Sequence, residues 1–229
     1  MRSVGICMNL APVVDVDSNP NNPVIGTRSF GKSVDTVIAF ATMFLQGHQD
    51  ARVATTLKHF PGHGDTSVDS HYSLPIVDKP MEELERVELL PFKALAHQTD
   101  AIMTAHLLVK ALDPNLCSTL SPPTLSYLRE EIGFRGVIIS DSLTMDGLLQ
   151  QTSGDIEKAA ILAIQAGCDL LIFGGKRLQN SPDNACLTPE EVQSVHAAIV
   201  SAVKSGCIPK KRLQESVERI LELKNRIIN

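Results

Sequence analysis

Between positions 58 and 71 the chain reads Lys-His-Phe-Pro-Gly-His-Gly-Asp-Thr-Ser-Val-Asp-Ser-His, which sets His59, His63 and His71 beside Asp65, Asp69 and Lys58. Imidazole changes charge near neutral pH and a carboxylate can orient it, so this set is equipped to move protons or to grip a polar ligand. Pro61, Gly62 and Gly64 break any periodic structure, and the groups therefore hang from an irregular connection after an apolar run. Plainer uses exist for each. Asp69 and His71, two positions apart, suit a hydrogen bond that only stabilises the loop, and His63 suits a brace within Pro-Gly-His-Gly. His59, His63 and Asp69 also suggest a metal-dependent hydrolase through an HxxxH spacing. Two histidines so spaced share a face only on a helix, which Pro61 and Gly62 forbid, so no metal ligand is assigned.

A buried strand must deliver this loop, and the chain supplies several. Apolar runs at Val4–Pro12, Val53–His59, Ala101–His106, Gly136–Asp141 and Asp169–Phe173 read as strands, each followed by a polar or glycine-containing turn. Amphipathic stretches at helical spacing lie between and after them: Ser33–Gln49, Met81–Gln98, Pro123–Ile132, Ile156–Ala166, Pro189–Ser205 and Lys210–Ile228. Ser33 and Thr188 read as N-caps, with Pro189 at a first helical position. Alternation of this kind builds parallel strands with right-handed crossovers, as a doubly wound sheet or a (β/α)8 barrel.

The polar outliers choose between these. Asp15 follows the first strand, Lys58 to His71 the second, His106 ends the third, Asp141 ends the fourth, and Gly174-Gly175 follow the fifth. All fall at carboxyl ends, which in a barrel converge on one mouth. An open sheet would ordinarily use a glycine-rich phosphate turn, and neither GxGxxG nor GxxxxGK[ST] occurs. The expectation is an α/β fold of TIM-barrel type, incomplete, with about five of the eight strand–helix units that closure requires.

Composition narrows the partners. With 229 residues, 43% hydrophobic, the chain can bury one sizeable core, read as a single domain over 1–229. A net charge of −5 without a basic cluster argues against nucleic acid or an anionic membrane surface, leaving small polar ligands. The five scattered cysteines, Cys7, Cys117, Cys168, Cys186 and Cys207, read as free thiols of a reducing compartment. No membrane span or export signal is legible, and the expected location is cytoplasmic.

Three segments, KHFPGHGDTSVDSH, the upstream APVVDVDSNPNNPVIGTRSFG and the downstream GFRGVIISDSLTMDGL, together resemble the β-N-acetylglucosaminidase (β-hexosaminidase) branch of glycoside hydrolase family 3, in that order and at similar spacing. The resemblance covers most of the chain. It implies retaining hydrolysis of terminal β-linked N-acetylglucosamine through a covalent glycosyl-enzyme, without cofactor, on peptidoglycan-type or chitin-type saccharides, often in peptidoglycan turnover. A phosphate acceptor in place of water would make the same chemistry a phosphorolysis.

Carried over residue by residue, Asp141 in Ile-Ile-Ser-Asp-Ser-Leu matches the family nucleophile, although an aspartate there also suits an N-cap. His71 matches the acid and base, with Asp69 as its partner. This histidine dyad replaces the second carboxyl of most retaining glycosidases, so their ~5–5.5 Å carboxyl separation is no test. Lys58, His59 and Arg28 match sugar-binding positions, though Lys and Arg are most often plain surface charges. His106 is placed at the mouth, and Asp15 is open between a helix cap and a wall of the site.

Members of the family carry three strand–helix units ahead of the segment resembling APVVDV, with a DQEGGRV-like stretch that this sequence lacks. The chain therefore reads as an amino-terminally truncated barrel. Its open edge is expected to favour self-association. The alternative to an active hydrolase is a noncatalytic barrel fragment that needs a missing segment or partner.

Overall fold

The computed structural model describes residues 1–174 and 187–228, so Cys186 and Gly175 lie outside the described residues. In chain order the strands are β1 Thr56–Phe60, β2 Ile76–Val77, β3 Ala101–Thr104, β4 Leu108–Val109, β5 Val137–Ser142 and β6 Leu170–Ile172. The α-helices are α1 Val34–Asp50, α2 Met81–Arg86, α3 Leu90–Leu95, α4 Pro122–Glu130, α5 Asp146–Leu149, α6 Ile156–Ala166, α7 Pro189–Lys204 and α8 Lys210–Ile228. β1, β3, β5 and β6 form one parallel sheet in that order.

The first expected strand takes a different form. Arg2–Val4 is a short 3-10 turn, and the chain beyond it runs extended beside β1. Isolated parallel bridges Met8–Ala54 and Val13–Lys58 join it to its neighbour, with bonds such as Asn9 N to Ala54 O at 2.8 Å and Val14 N to Lys58 O at 2.8 Å. Pro12 has no N–H to donate, which fits the broken ladder. Among the described residues five parallel segments are thus present, forming part of a barrel.

The two faces of the sheet are covered differently. Leu57, Ile102 and Ile138 face outward and join Phe60, Phe92, Ala41, Leu125 and Ala163 in the main core. Ala54, Ala101, Val137 and Ile139 pack instead with Ile220, Leu223 and Ile227 of α8. Asp169, whose side chain is fully buried just before β6, anchors that helix: it accepts from Arg212, Arg219 and Ser216 of α8 and from Arg129 of α4.

Helix boundaries follow local chemistry. Ser33 caps α1 through its side chain on Thr36 N, and Thr188 with Glu191 forms a capping box ahead of Pro189 on α7. The expected helix Met81–Gln98 is instead α2, a break, α3 and a 3-10 turn. Pro91 cannot donate to the carbonyl four residues earlier and its ring crowds that turn, so the helix stops before it. The small parallel ladder β2–β4 and helix α5 carry no strong periodicity and escape a sequence reading. Among the described residues no helix is long and apolar enough to cross a membrane.

Candidate active site

β1 ends at the loop singled out above, and one buried carboxylate holds that loop in shape. Asp15 accepts from His63 N at 2.7 Å, from His59 N at 3.1 Å and from His59 Nδ1 at 2.7 Å. Burial works to raise its pKa, but His59 and His63 outweigh this and hold it below the ordinary aspartate value. Asp15 is therefore neither a helix cap nor a wall of the cavity; it lies beneath the loop. Asn22 adds bonds to His63 O and Gly64 O at 2.8 and 3.0 Å. A β-carbon on Gly64 would sit 1.7 Å from Val16 O, so only glycine allows this approach.

Beside this loop is a cavity of about 260 Å³. Its polar wall includes Arg28, Lys58, His59, His71 and Asp141, and its apolar wall includes Leu10, Val24 and Met103. Five of the six residues matched above thus share one cavity. The sixth, Asp69, stands behind His71: its Oδ1 accepts from His71 N at 2.8 Å and from His71 Nδ1 at 2.7 Å. The His71 side chain remains 43% exposed, which leaves it accessible at the rim.

Asp141, at the end of β5, accepts from Ser142 N at 2.7 Å. Burial pushes its pKa upward, yet His106, His59, the Ser142 amide and His71 prevail and keep it below the ordinary value. Asp141 is therefore an anion at neutral pH. Lys58 titrates below its usual value, first because it is buried and then because Arg28 lies close, with Asp141 and Asp15 opposing. The cavity thus joins one held carboxylate to several donors.

The other histidines have structural partners. His63 lies between Ser70 Oγ at 2.9 Å and Thr66 Oγ1 at 2.8 Å. His106, expected at the mouth, is instead buried between Thr119 Oγ1 at 2.8 Å and the Ser142 carbonyl at 2.9 Å. Asp65 faces away, toward Lys79 at 2.9 Å, which also contacts Glu83 and Glu88. His59, His63 and Asp69 do not converge as the metal-hydrolase alternative requires, since Asp15, Ser70 with Thr66, and His71 respectively engage them. Among the described residues no cluster of three or more His, Cys, Asp or Glu is arranged to hold a metal ion.

Sequence reasoning missed Ser70, Leu10, Val24 and Met103 as cavity residues. Ser70 could have been found from its place between Asp69 and His71. The three apolar residues carry no signal in the sequence that separates them from core residues.

Comparison with known proteins places this geometry among relatives. The family profile described as "Glycosyl hydrolase family 3 N terminal domain" matches residues 1–223. A β-hexosaminidase of Idiomarina loihiensis is 34% identical over 93% of this chain and 65% of its own length. A β-hexosaminidase A of Pseudoalteromonas piscicida is 35% identical over 99% of this chain and 39% of its own. A solved glycoside hydrolase family 3 β-N-acetylglucosaminidase from Paenibacillus sp. str. FPU-7 superposes with a TM-score of 0.89 and 41% identity, over 99% of this chain and 41% of that one. The chain thus spans between about two fifths and two thirds of the length of these relatives.

Proposed function

The chain belongs to the glycosyl hydrolase family 3 N-terminal domain family, and on that footing we propose that it hydrolyses terminal β-linked N-acetylhexosamine, chiefly N-acetylglucosamine, with retention. The observation that carries this reading is that Asp141 and His71 line the same cavity as Arg28, Lys58 and His59. The β-hexosaminidase and β-N-acetylglucosaminidase relatives support the substrate class.

In the first step Asp141 attacks the anomeric carbon while protonated His71 gives its proton to the departing glycosidic oxygen. The C–O bond breaks and a glycosyl ester forms on Asp141. In the second step neutral His71 takes a proton from water as that water attacks the anomeric carbon, and the Asp141 carboxylate leaves. Asp69 holds Nδ1 of His71 throughout, so Nε2 handles the proton, and the paired carboxylate stabilises the imidazolium. Arg28, Lys58 and His59 grip the sugar hydroxyls. Substrates of peptidoglycan or chitin type present such a terminal residue to a small cavity.

The deciding assay is release of 4-nitrophenol from its N-acetyl-β-D-glucosaminide. Turnover by the chain, reduced by about 10⁴-fold or more in Asp141→Asn, is the expected result, by analogy with removal of other catalytic groups. Undiminished turnover in both Asp141→Asn and His71→Ala would overturn it.

A second reading is favoured by the exposure of Val4, Ile6, Leu10, Phe40 and Met43 on and near the first extended segment. Apolar groups gathered there suit contact with additional strand–helix units. In that reading this chain is a barrel portion whose turnover rises when such units are supplied.

A further inference from the structure

The partners of His59 define which of its nitrogens carries the proton. Nδ1 lies 2.7 Å from Asp15 Oδ2, and Nε2 lies 3.3 Å from an Arg28 terminal nitrogen. An ionised carboxylate only accepts and a guanidinium only donates. Asp15 is fully buried and held below the ordinary aspartate pKa, so it is ionised at neutral pH. The one arrangement that satisfies both contacts is a neutral ring with hydrogen on Nδ1, donating to Asp15 and accepting from Arg28.

We propose that Asp15 is a positioning residue: it fixes this tautomer of His59 and thereby presents a lone pair that orients the Arg28 guanidinium in the cavity. Arg28 has a second tie, from Nη1 to the Val24 carbonyl at 3.1 Å. Two of its five N–H groups are thus committed to acceptors on opposite sides, and the planar fork leaves others for the ligand. Asp15 touches neither the cavity nor, therefore, the sugar. The proposal rests on the hexosaminidase reading only for what the oriented guanidinium grips.

Asp15→Asn tests the relay because a carboxamide has one accepting oxygen. The amides of His59 and His63 both donate to Oδ1 and hold the oxygen there, so the NH2 group takes the place of Oδ2 and faces His59 Nδ1 as a donor. The ring must accept at Nδ1 and carry its hydrogen on Nε2, where it meets a donor of Arg28. Loss of the correct tautomer through an aspartate-to-asparagine change is a known way to disable a histidine whose geometry is otherwise intact.

The readout is long-range ¹H–¹⁵N NMR of the whole chain labelled with ¹⁵N-histidine, with His59 assigned by His59→Gln. The wild type is expected to show a protonated Nδ1 and an unprotonated Nε2, and folded Asp15→Asn the reverse. Its KM for 4-nitrophenyl N-acetyl-β-D-glucosaminide should rise about 10- to 100-fold, the range for losing a hydrogen bond to a charged group, with kcat less affected. Arg28→Met should keep the wild-type tautomer, since Asp15 governs it; this result decides the matter if Asp15→Asn does not fold. Hydrogen on Nε2 in the wild type, a changed tautomer in Arg28→Met, or folded Asp15→Asn with unchanged tautomer and KM would each overturn the relay. An Nδ1-protonated His59 in a chain without turnover would instead count against the hydrolase reading and leave the tautomer assignment standing, with N-acetylglucosamine titration replacing KM.

Discussion

His106 and Asp141 grip Ser142 from its two backbone ends: Asp141 Oδ1 accepts from the Ser142 amide at 2.7 Å, and His106 Nε2 donates to the Ser142 carbonyl at 2.9 Å. A buried imidazole thus steadies the strand end that carries the proposed nucleophile. Replacing it by His106→Leu leaves that carbonyl without its donor, and the expected loss of stability is about 1–3 kcal/mol. Activity should fall through kcat more than KM, because the seat of Asp141 shifts while the sugar-binding groups stay. Urea denaturation together with steady-state kinetics checks this, and an unaltered kcat would refute the clamp.

Acid should loosen the fold from pH 6.5 downward. Burial, above all, pushes the pKa of both His63 and His106 below the ordinary 6.5. Over the interval between folded and unfolded values the unfolded chain binds protons that the folded chain refuses, so stability falls as pH falls. Asp15 and Asp141, both held below 3.8, add a further loss in stronger acid. Glu88 works in the opposite sense, since burial raises it from 4.5. The comparison that isolates the histidines is the urea midpoint from pH 7.5 to 5 in wild type and in His63→Gln with His106→Gln. A flatter pH profile is expected in the double variant; an identical slope would rule the two histidines out.

Gly147→Ala should harm activity more than folding. Gly147 N donates to Ser70 O, and a β-carbon there would lie 2.5 Å from Ser70 O and 2.8 Å from Ser73 O. Those carbonyls flank His71, so the added methyl pushes the acid–base loop away from Asp141. Displacement of a reacting group by an ångström costs up to about 10²-fold in rate. The stability cost of such overpacking is about 1–3 kcal/mol. Thermal melting and kcat/KM measured side by side would show whether the two losses diverge.

Asp169→Ala should be among the most destabilising single changes. The side chain of Asp169 has no solvent exposure and meets Arg129, Arg212 and Arg219 at 2.7, 3.1 and 3.0 Å. Burial and the two neighbouring guanidinia already pull Arg129 down to about 10, against the opposing pull of Asp169. Removing the carboxylate they share strands like charges, for which about 3–5 kcal/mol is the usual cost of breaking a buried pair. Equilibrium unfolding gives the number, and hydrogen exchange along α8 should show that helix released first.

The elements that were legible are those whose signal is local. Helix α6 lies at Ile156–Ala166, and α8 at Lys210–Ile228, because amphipathic spacing marks both. The strand ends were legible for the same reason: β1, β3 and β5 are apolar runs that end at Phe60, Thr104 and Ser142, within two residues of the expected ends at His59, His106 and Asp141. What escaped depends on partners distant in sequence. Asp15 stayed open between a cap and a wall of the site because nothing near it announces His59 and His63, which lie 44 and 48 positions on. His106 looked like a mouth residue because its burial is decided by Thr119 and Ser142. The break in Met81–Gln98 was local and readable from Pro91, and amphipathic spacing masked it.

That break reaches further than the outer shell. Glu88 lies in it, buried, and meets Lys79 at 2.8 Å; Lys79 in turn meets Asp65 at 2.9 Å, at the root of the strip that ends in His71. The turn at Gly62 leans directly on Glu88, with space for no β-carbon between them. Pro91, by breaking the helix where Glu88 sits, therefore sets the footing from which that strip projects, and mutational tolerance there should track the mouth rather than the periphery.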